Sequence, residues 1–354
     1  MWRTKLAEKI GIKFPIIQAP MAGGATTPEL VAQVSNAGGL GSLGAGYMSP
    51  TEIRSVIRKI RELTDKPFAV NLFIPQHHHA RPSQMQRACR DIQQSCIELD
   101  LEIKPVTEPY APSFSEQIKV LIEEKIPVFS YAFGLLDLVW ISQFKKNHTF
   151  LIGTATNFKE AYELERSGID AIVAQGSEAG GHRGTFLGKA EDSLIGLFSL
   201  LPQLVDKLKI PIIAAGGIMD GRGIIAATDL GADGVQMGTA FLTCSESGIP
   251  DGYKHTLLAQ CQDNTVLTRA FSGKLARGIR NKFIERMDEK KTNILSYPIQ
   301  NALTTTMRKK AKEEQHIDFM SMWSGQSAQL CRNLSASELI NTLLIEVESL
   351  KLNH

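Results

Sequence analysis

The segment Ala171-Ile-Val-Ala-Gln-Gly-Ser-Glu-Ala-Gly-Gly-His-Arg-Gly184 joins a short apolar run to a loop rich in glycine. The run Ala171–Ala174 is typical of a parallel strand that is buried on both faces. The loop that follows contains four glycines, which allow the backbone to approach a flat ligand closely. His182, a titratable side chain, lies among these glycines rather than among bulky apolar residues. This pattern predicts that His182 faces a cavity; the structural alternative is a histidine that only caps the loop.

Seven further apolar runs alternate with helical patterns on both sides of this segment. The eight predicted strands are Ile16–Ala19, Leu40–Leu43, Phe68–Leu72, Val128–Phe133, Phe150–Thr154, Ala171–Ala174, Ile212–Ala215 and Gly234–Met237. Eight strands in βα alternation predict an α/β fold of the (β/α)₈ TIM-barrel type, with a doubly wound sheet as the alternative. Amphipathic helices are expected over Pro28–Asn36, Thr51–Leu63 and Ser335–Leu350.

Two segments are longer than the barrel needs. Residues 75–125 and 245–333 both follow strand C-termini, the face on which barrel enzymes build their active sites. We therefore expect them to form a smaller, mostly helical cap that covers the substrate. Residues 1–74, 126–244 and 334–354 would then form the barrel that binds the cofactor.

Composition limits the class of protein. The chain has 354 residues and a net charge of +2, with its basic residues dispersed, so neither nucleic acid nor a membrane is the expected partner. The charged N-terminus is unlike a signal peptide, and the five cysteines, Cys261 among them, form no Cys-x-x-Cys pair. These features predict a cytoplasmic protein, and they do not predict its oligomeric state.

Two motifs look like ligand-binding motifs, but their sequence context argues against that interpretation. Gly39-Leu-Gly-Ser-Leu-Gly44 has the spacing of a dinucleotide fingerprint, but a helix precedes it and its glycines belong to the second predicted strand. His77-His78-His79 has no further ligands at metal spacing, so no metal site is expected.

A phosphate site is expected after the last two predicted strands. Ala214-Ala-Gly-Gly-Ile218 and Gln236-Met-Gly-Thr-Ala240 follow those strands, and barrels commonly bind phosphate there through backbone N–H groups. Asn71 and Gln175 end two other strands, where their amides could contact the polar edge of a flavin ring. A phosphate site together with such amides suggests FMN.

Longer motifs resemble the class I nitronate monooxygenases, formerly called 2-nitropropane dioxygenases. The resemblance runs from Ile16 to about Arg332, and the motifs that carry it are Gln18–Gly24, Pro28–Gly41, Gly153–Thr156, Glu178–Phe186, Gly216–Gly223 and Trp323–Gln326. It implies an FMN-containing barrel that oxidises alkyl nitronates, especially propionate 3-nitronate, with O₂ to a carbonyl compound plus nitrite or nitrate.

The resemblance also implies roles for individual residues. His182 would be the catalytic histidine, and the residues expected to hold FMN are Met21, Asn71, Gln175, Gly180, Gly217, Gln236, Met237, Gly238, Thr239 and Gln326. Tyr253, Tyr297, Lys309 and Lys310 are candidates for binding the substrate carboxylate. Relatives often have a second histidine after the fourth strand, where this chain has Ala132.

Three other functions remain as alternatives. A flavin-dependent enoyl-acyl-carrier-protein reductase has a similar Glu-Ala-Gly-Gly-His segment and would oxidise NADH. An IMP-dehydrogenase-like barrel would need a nucleophilic cysteine, for which Cys244 is the candidate, but no glycine-rich cysteine loop surrounds it. A flavin-binding protein without catalytic activity would not need His182.

Overall fold

The structure is a computed structural model that describes residues 4–76, 78–259 and 264–352. Its strands are β1 Ile16–Gln18, β2 Gly41–Gly44, β3 Phe68–Phe73, β4 Val128–Ala132, β5 Phe150–Ala155, β6 Ala171–Gln175, β7 Gly181–His182, β8 Ile212–Ala215, β9 Gly234–Met237, β10 Thr265–Thr268 and β11 Ala276–Ile279. Each of the eight strands predicted from the sequence is present, with ends that differ by at most one residue.

Helices follow most of these strands. The α-helices are α1 Lys5–Ile10, α2 Pro28–Asn36, α3 Pro50–Leu63, α4 Pro82–Ile97, α5 Phe114–Glu123, α6 Leu138–Lys146, α7 Phe158–Arg166, α8 Leu197–Val205, α9 Gly221–Asp229, α10 Thr239–Leu242, α11 Asp251–Leu258, α12 Lys282–Asp288, α13 Ile299–Glu313 and α14 Ala336–Leu352. Short 3₁₀ turns occur at Ala190–Ser193, Lys291–Asn293, Ile317–Phe319 and Ala328–Leu330.

Eight parallel strands form the barrel, in the order β1-β9-β8-β6-β5-β4-β3-β2. A parallel bridge between Ile17 and Leu40 brings β1 against β2 and closes it. Gln18 strengthens this closure, because its buried amide accepts from Ser42 N–H (2.9 Å) and donates to the Ser42 carbonyl (3.1 Å). The TIM-barrel prediction is therefore confirmed, and the doubly wound alternative is excluded.

The glycines of the dinucleotide-like motif serve packing. A Cβ atom on Gly41 would lie 2.0 Å from the Val31 carbonyl oxygen of α2, and one on Gly44 would lie 2.5 Å from the Ala22 nitrogen. Neither position has room for a side chain, since real Cβ atoms do not come so close to backbone. These glycines let α2 and the loop after β1 lie directly against β2, which agrees with the prediction that they form a strand.

A second hydrophobic cluster lies outside the barrel. It joins α4, through Met85, Ala88 and Ile92, to helices of the later insertion such as α12 and α13. The two long segments thus share one core above the C-terminal ends of the strands. The apolar face of α5, including Ile118 and Leu121, belongs instead to the barrel core. We therefore propose that the cap insertion ends before Phe114 and not at residue 125.

A small antiparallel sheet connects the cap to the barrel. The hairpin of β10 and β11 lies within the later insertion, and β11 also pairs with β7, so that Ala276 is opposite His182. The cap is mostly helical, as predicted, but the sequence did not predict this hairpin. Among the described residues, no helix is both long and apolar enough to cross a membrane.

Candidate active site

A cavity of about 960 Å³ lies between the C-terminal ends of the barrel strands and the cap. Side chains from the strand ends that line it include Asn71, Ala132, Thr154, Gln175, Ala215 and Gln236. The cap contributes Tyr253, Arg308 and Trp323 from the opposite side. This is the face on which TIM-barrel enzymes bind their substrates.

Arg183 stabilises the glycine-rich loop after β6 through hydrogen bonds to backbone carbonyls. Its guanidinium is fully buried and donates to the carbonyls of Gly176 (2.6 Å), Gln175 (3.1 Å) and Ser193 (3.1 Å). The Gln175 amide donates to the His182 carbonyl (3.0 Å) and accepts from Gly184 N–H (2.8 Å). Gln175 was expected to contact the edge of the flavin. Its oxygen and one amide hydrogen instead form hydrogen bonds within the loop, and these bonds stabilise the conformation of the loop.

Glu160 fixes the far end of the same loop. Its carboxylate is fully buried and accepts from the backbone N–H groups of Thr156 (2.8 Å), Phe186 (2.6 Å) and Leu187 (2.9 Å). Charge-assisted bonds of this kind are stronger than neutral ones. Arg183 and Glu160 together leave the loop few alternative conformations, so His182 is held in place before a ligand binds.

His182 projects into an aromatic part of the cavity. The rings of Trp323, Phe133, Tyr297 and Phe73 have centroids 5.2, 5.8, 6.2 and 6.4 Å from the imidazole centroid. Burial, together with the positive charges of Lys274 and Arg308, lowers the pKa of His182 to about 3. The imidazole is therefore neutral at physiological pH, whereas an unperturbed histidine would titrate near ~6.5.

Ser272 is the hydrogen-bond partner of this imidazole. Its Oγ lies 2.8 Å from His182 Nε2 and donates to the Lys274 carbonyl at 3.2 Å. When the hydroxyl proton points to that carbonyl, the oxygen accepts from Nε2–H, and Nδ1 then carries a free lone pair. That tautomer is the one that a general base requires.

Phe133 fills the region where relatives often have a second histidine. Ala132 lines the cavity without a polar group, and Phe133 follows it with a φ of +79°, which is rare for a bulky residue. Its ring stacks on Phe73 with centroids 4.6 Å apart, and Lys274 Nζ lies 4.5 Å from the Phe133 centroid. The wall opposite His182 is thus aromatic with a cation behind it.

The turns after β8 and β9 form the other end of the cavity. Gly216 and Gly217 have φ values of +126° and +70°, which side chains rarely adopt. A Cβ on Gly238 would meet only Ala19 Cβ at 3.5 Å and Met21 Sδ at 3.9 Å, so the free space beside Gly238 belongs to the cavity. Thr239 Oγ1 accepts from Gly325 N–H (3.0 Å) and keeps its own proton for a ligand.

Most of the predicted site residues line this one cavity. They are Met21, Asn71, Gln175, Gly180, His182, Gly217, Gln236, Met237, Gly238, Thr239, Tyr253 and Lys309. The Tyr253 hydroxyl, however, already donates to the Trp323 carbonyl.

Three predicted residues do not line the cavity. Tyr297 lies behind His182 in the aromatic cluster, and the Lys310 ammonium points to Glu314 at 2.7 Å. Gln326 donates its backbone N–H to the Glu178 carbonyl at 3.0 Å. Its neighbours Gly325 and Ser327 line the cavity in its place.

Other residues at the site were missed by the sequence analysis. They are Tyr47, Phe133, Ser272, Lys274, Arg308 and Trp323. The sequence contains a signal that could have identified Arg308. Lys309 and Lys310 each have a glutamate four residues later that can pair with them on a helix, whereas the residue four positions after Arg308 is Lys312. Ser272 had none, since nothing local indicates that it meets a residue 90 positions away.

Cys244 cannot serve the IMP-dehydrogenase-like alternative. Its side chain is fully buried, and burial raises the pKa of the thiol to about 12, so it is not a thiolate. Within residues 4–76, 78–259 and 264–352, no group of three or more His, Cys, Asp or Glu side chains is arranged to hold a metal ion. His77 and Cys261 lie outside the described residues.

The barrel, the cap and a histidine that faces the cavity from a glycine-rich loop define a TIM-barrel enzyme with its site between barrel and cap. Residues 3–346 match the nitronate monooxygenase family, and the chain belongs to that family. A probable nitronate monooxygenase of Staphylococcus saprophyticus is 45% identical over 343 residues, covering 96% of each chain. The chain is therefore an oxidoreductase of this kind.

Two solved structures have a similar fold. A nitroalkane oxidase from Streptomyces ansochromogenes has a TM-score of 0.90 and 36% identity, covering 98% of this chain and 99% of its own. FabK from Thermotoga maritima has a TM-score of 0.79 and 32% identity, covering 100% and 98%. The agreement is greater with the nitroalkane oxidase by both measures.

Proposed function

We propose that this chain binds FMN in the cavity and uses O₂ to oxidise alkyl nitronates to a carbonyl compound plus nitrite or nitrate. Propionate 3-nitronate is the substrate that we expect. The observation that carries the proposal is the position of His182, a neutral, half-buried imidazole in the same cavity as glycine turns suited to a phosphate. Family membership supports the general chemistry.

The cavity suits FMN in shape and in polar groups. Gly216, Gly217 and Gly238 leave backbone exposed at the turns after β8 and β9, where a phosphate would bind. Asn71 and Gln236 line the cavity at two other strand ends and supply amides for the ring. Bound FMN would supply the electron acceptor for the reaction.

The protein would contribute position, charge and a proton acceptor. A nitronate is an anion, and the positive charge of Lys274, which already acts on His182, favours an anion beside that residue. With Nδ1 unprotonated, His182 can remove the α-proton of a neutral nitroalkane, or it can lie against a nitronate that has already formed. The aromatic wall excludes water from this region.

The His182→Asn variant tests the proposal. FMN content should not change, and turnover of a neutral nitroalkane should fall roughly 10²-fold or more, because no base is left. Turnover of a preformed nitronate should fall less, since that substrate has already lost its α-proton. His148→Asn is the matched control, because His148 is exposed and has a φ of +58°, which asparagine tolerates.

Equal losses on both substrates would reject the role of base and leave His182 as a binding group. Unchanged turnover on both, with FMN retained, would make His182 structural. A wild-type protein that is colourless and cannot be reconstituted with FMN would refute the proposal as a whole.

A further inference from the structure

Arg308 is a cation on the cavity wall that has only neutral partners. Its Nε donates to Thr304 Oγ1 (3.1 Å), and its Nη2 donates to the carbonyl (2.8 Å) and Oδ1 (2.9 Å) of Asn301. Arg308 forms no ion pair with any carboxylate in the described part of the chain, and its Nη1 has no acceptor there. Arg308 is half-buried in the cavity wall, and withdrawing a charge from water without a counter-charge is costly, which favours an anion at this position.

The same helix neutralises two of its other cations. On α13, Lys309 lies 4.0 Å from Glu313, and Lys310 lies 2.7 Å from Glu314. The residue four positions after Arg308 is Lys312, which donates to the Gly248 carbonyl at 3.3 Å. The helix therefore supplies a carboxylate to Lys309 and to Lys310 and none to Arg308.

Tyr47 adds a second unsatisfied group beside Arg308. Its hydroxyl is buried and has no hydrogen-bond partner among the described residues, although the Tyr297 hydroxyl lies near it. Tyr47 and Arg308 both line the cavity, and the positive charge of Arg308 opposes the rise in the pKa of Tyr47 that burial causes. Buried polar atoms in proteins are nearly always paired, which indicates that a ligand meets this hydroxyl.

We infer that Arg308 and Tyr47 form a subsite for a carboxylate at the end of the substrate that is remote from the nitronate group. Arg308 then determines the specificity for nitronates that carry this second negative charge. The inference rests on the proposed function. Nη1–H and the Tyr47 hydroxyl are two donors, which match the two oxygens of a carboxylate. Lys309 and Lys310, the candidates from the sequence, already have carboxylate partners.

Binding of an unreactive pair of ligands tests the subsite directly. Butanoate and butyramide have nearly the same shape and differ in charge, and their affinities for the oxidised holoenzyme can be compared by isothermal titration calorimetry. Wild type should prefer butanoate about 10- to 100-fold, the range expected for a hydrogen bond to a charged group. Arg308→Gln should abolish the preference, Arg308→Lys should restore part of it, and Tyr47→Phe should reduce it.

Kinetics with matched substrates provides the second measurement. Arg308→Gln should raise KM for propionate 3-nitronate by a similar factor and leave KM for propyl-1-nitronate, which lacks the carboxylate, within about threefold. Arg58→Gln is the control, because Arg58 lies on α3 with 65% of its side chain exposed and its guanidinium near Glu124. That control substitution should leave KM unchanged for both substrates.

The outcomes separate this inference from the proposed function. Equal affinity of wild type for butanoate and butyramide overturns the subsite, and so does an Arg308→Gln variant that retains the preference. If wild type oxidises neither nitronate, the proposed function fails while the binding comparison still decides the subsite. If Arg308→Gln does not fold, as judged by lost FMN and lost propyl-1-nitronate turnover, wild type and Arg308→Lys decide it.

Discussion

Gly238→Val tests the phosphate end of the cavity while disturbing the protein little. The φ of Gly238 is −105°, in a region open to residues with side chains, and its Cβ would make ordinary contacts of 3.5 and 3.9 Å with Ala19 and Met21. The two γ-carbons would then extend into the cavity. A phosphate would be moved away from the N–H groups of Gly238 and Thr239.

The expected loss follows from those two contacts. Each hydrogen bond to a charged group contributes about 1.5–3 kcal/mol, so losing both weakens FMN binding by about 3–6 kcal/mol, or roughly 10²- to 10⁴-fold. The assay is reconstitution of the apoprotein with FMN, followed by the quenching of flavin fluorescence. Gly252→Val is the control, because Gly252 lies on α11 outside the cavity and faces the flexible Gln315 side chain.

One result would refute this reasoning. If Gly238→Val is folded and binds FMN within about threefold of wild type, the phosphate does not bind at the turn after β9. A variant that fails to fold at all would show instead that the turn cannot accept a side chain, and Gly238→Ala would then replace it in the same assay.

Three further predictions concern the pH dependence of turnover, the pH dependence of stability, and the loop that Glu160 holds. The kcat/KM for a preformed nitronate should be constant from about pH 5 to about pH 7, because the pKa of His182 is lowered to about 3. It should fall above about pH 8, because burial lowers the pKa of Lys274 to about 8 and this residue then loses its charge. A change in kcat/KM near pH ~6.5 that is absent from the His182→Asn variant would contradict this expected pH profile. The unfolded chain protonates His182 below ~6.5 and the native chain does not, so native stability should also fall from there towards pH 3. Glu160→Gln should destabilise the protein by about 3 kcal/mol in urea unfolding, because an amide cannot accept from all three backbone N–H groups. Glu163→Gln, on the same helix with 42% of its side chain exposed, should change stability by less than about 0.5 kcal/mol.

The barrel could be predicted from the sequence because its signals are local. A parallel strand buried on both faces needs a continuous apolar run, and runs such as Phe68–Phe73 and Ile212–Ala215 meet that need. The helix ends carry local signals as well: Ser49 and Glu52 form a capping box at the start of α3. Each of these elements is decided by neighbours within a few residues.

The surroundings of His182 could not be predicted in the same way. In the sequence its neighbours are glycines, which predicted a cavity, but in the fold Phe73, Phe133 and Trp323 surround it from three distant segments. Its lowered pKa depends on that burial and on Lys274, which the pairing of β7 with β11 brings near. Such pairing over nearly a hundred residues leaves no local pattern.

The central claim is that a flavin in this cavity takes electrons from a nitronate and not from a pyridine nucleotide. The most direct test is the visible spectrum of the purified yellow protein under anaerobic conditions, recorded after adding propionate 3-nitronate and, separately, NADH. The flavin absorbance should bleach with the nitronate, stay unchanged with NADH, and return when O₂ is admitted. Rapid bleaching by NADH with no response to the nitronate would contradict it and favour the enoyl-acyl-carrier-protein reductase.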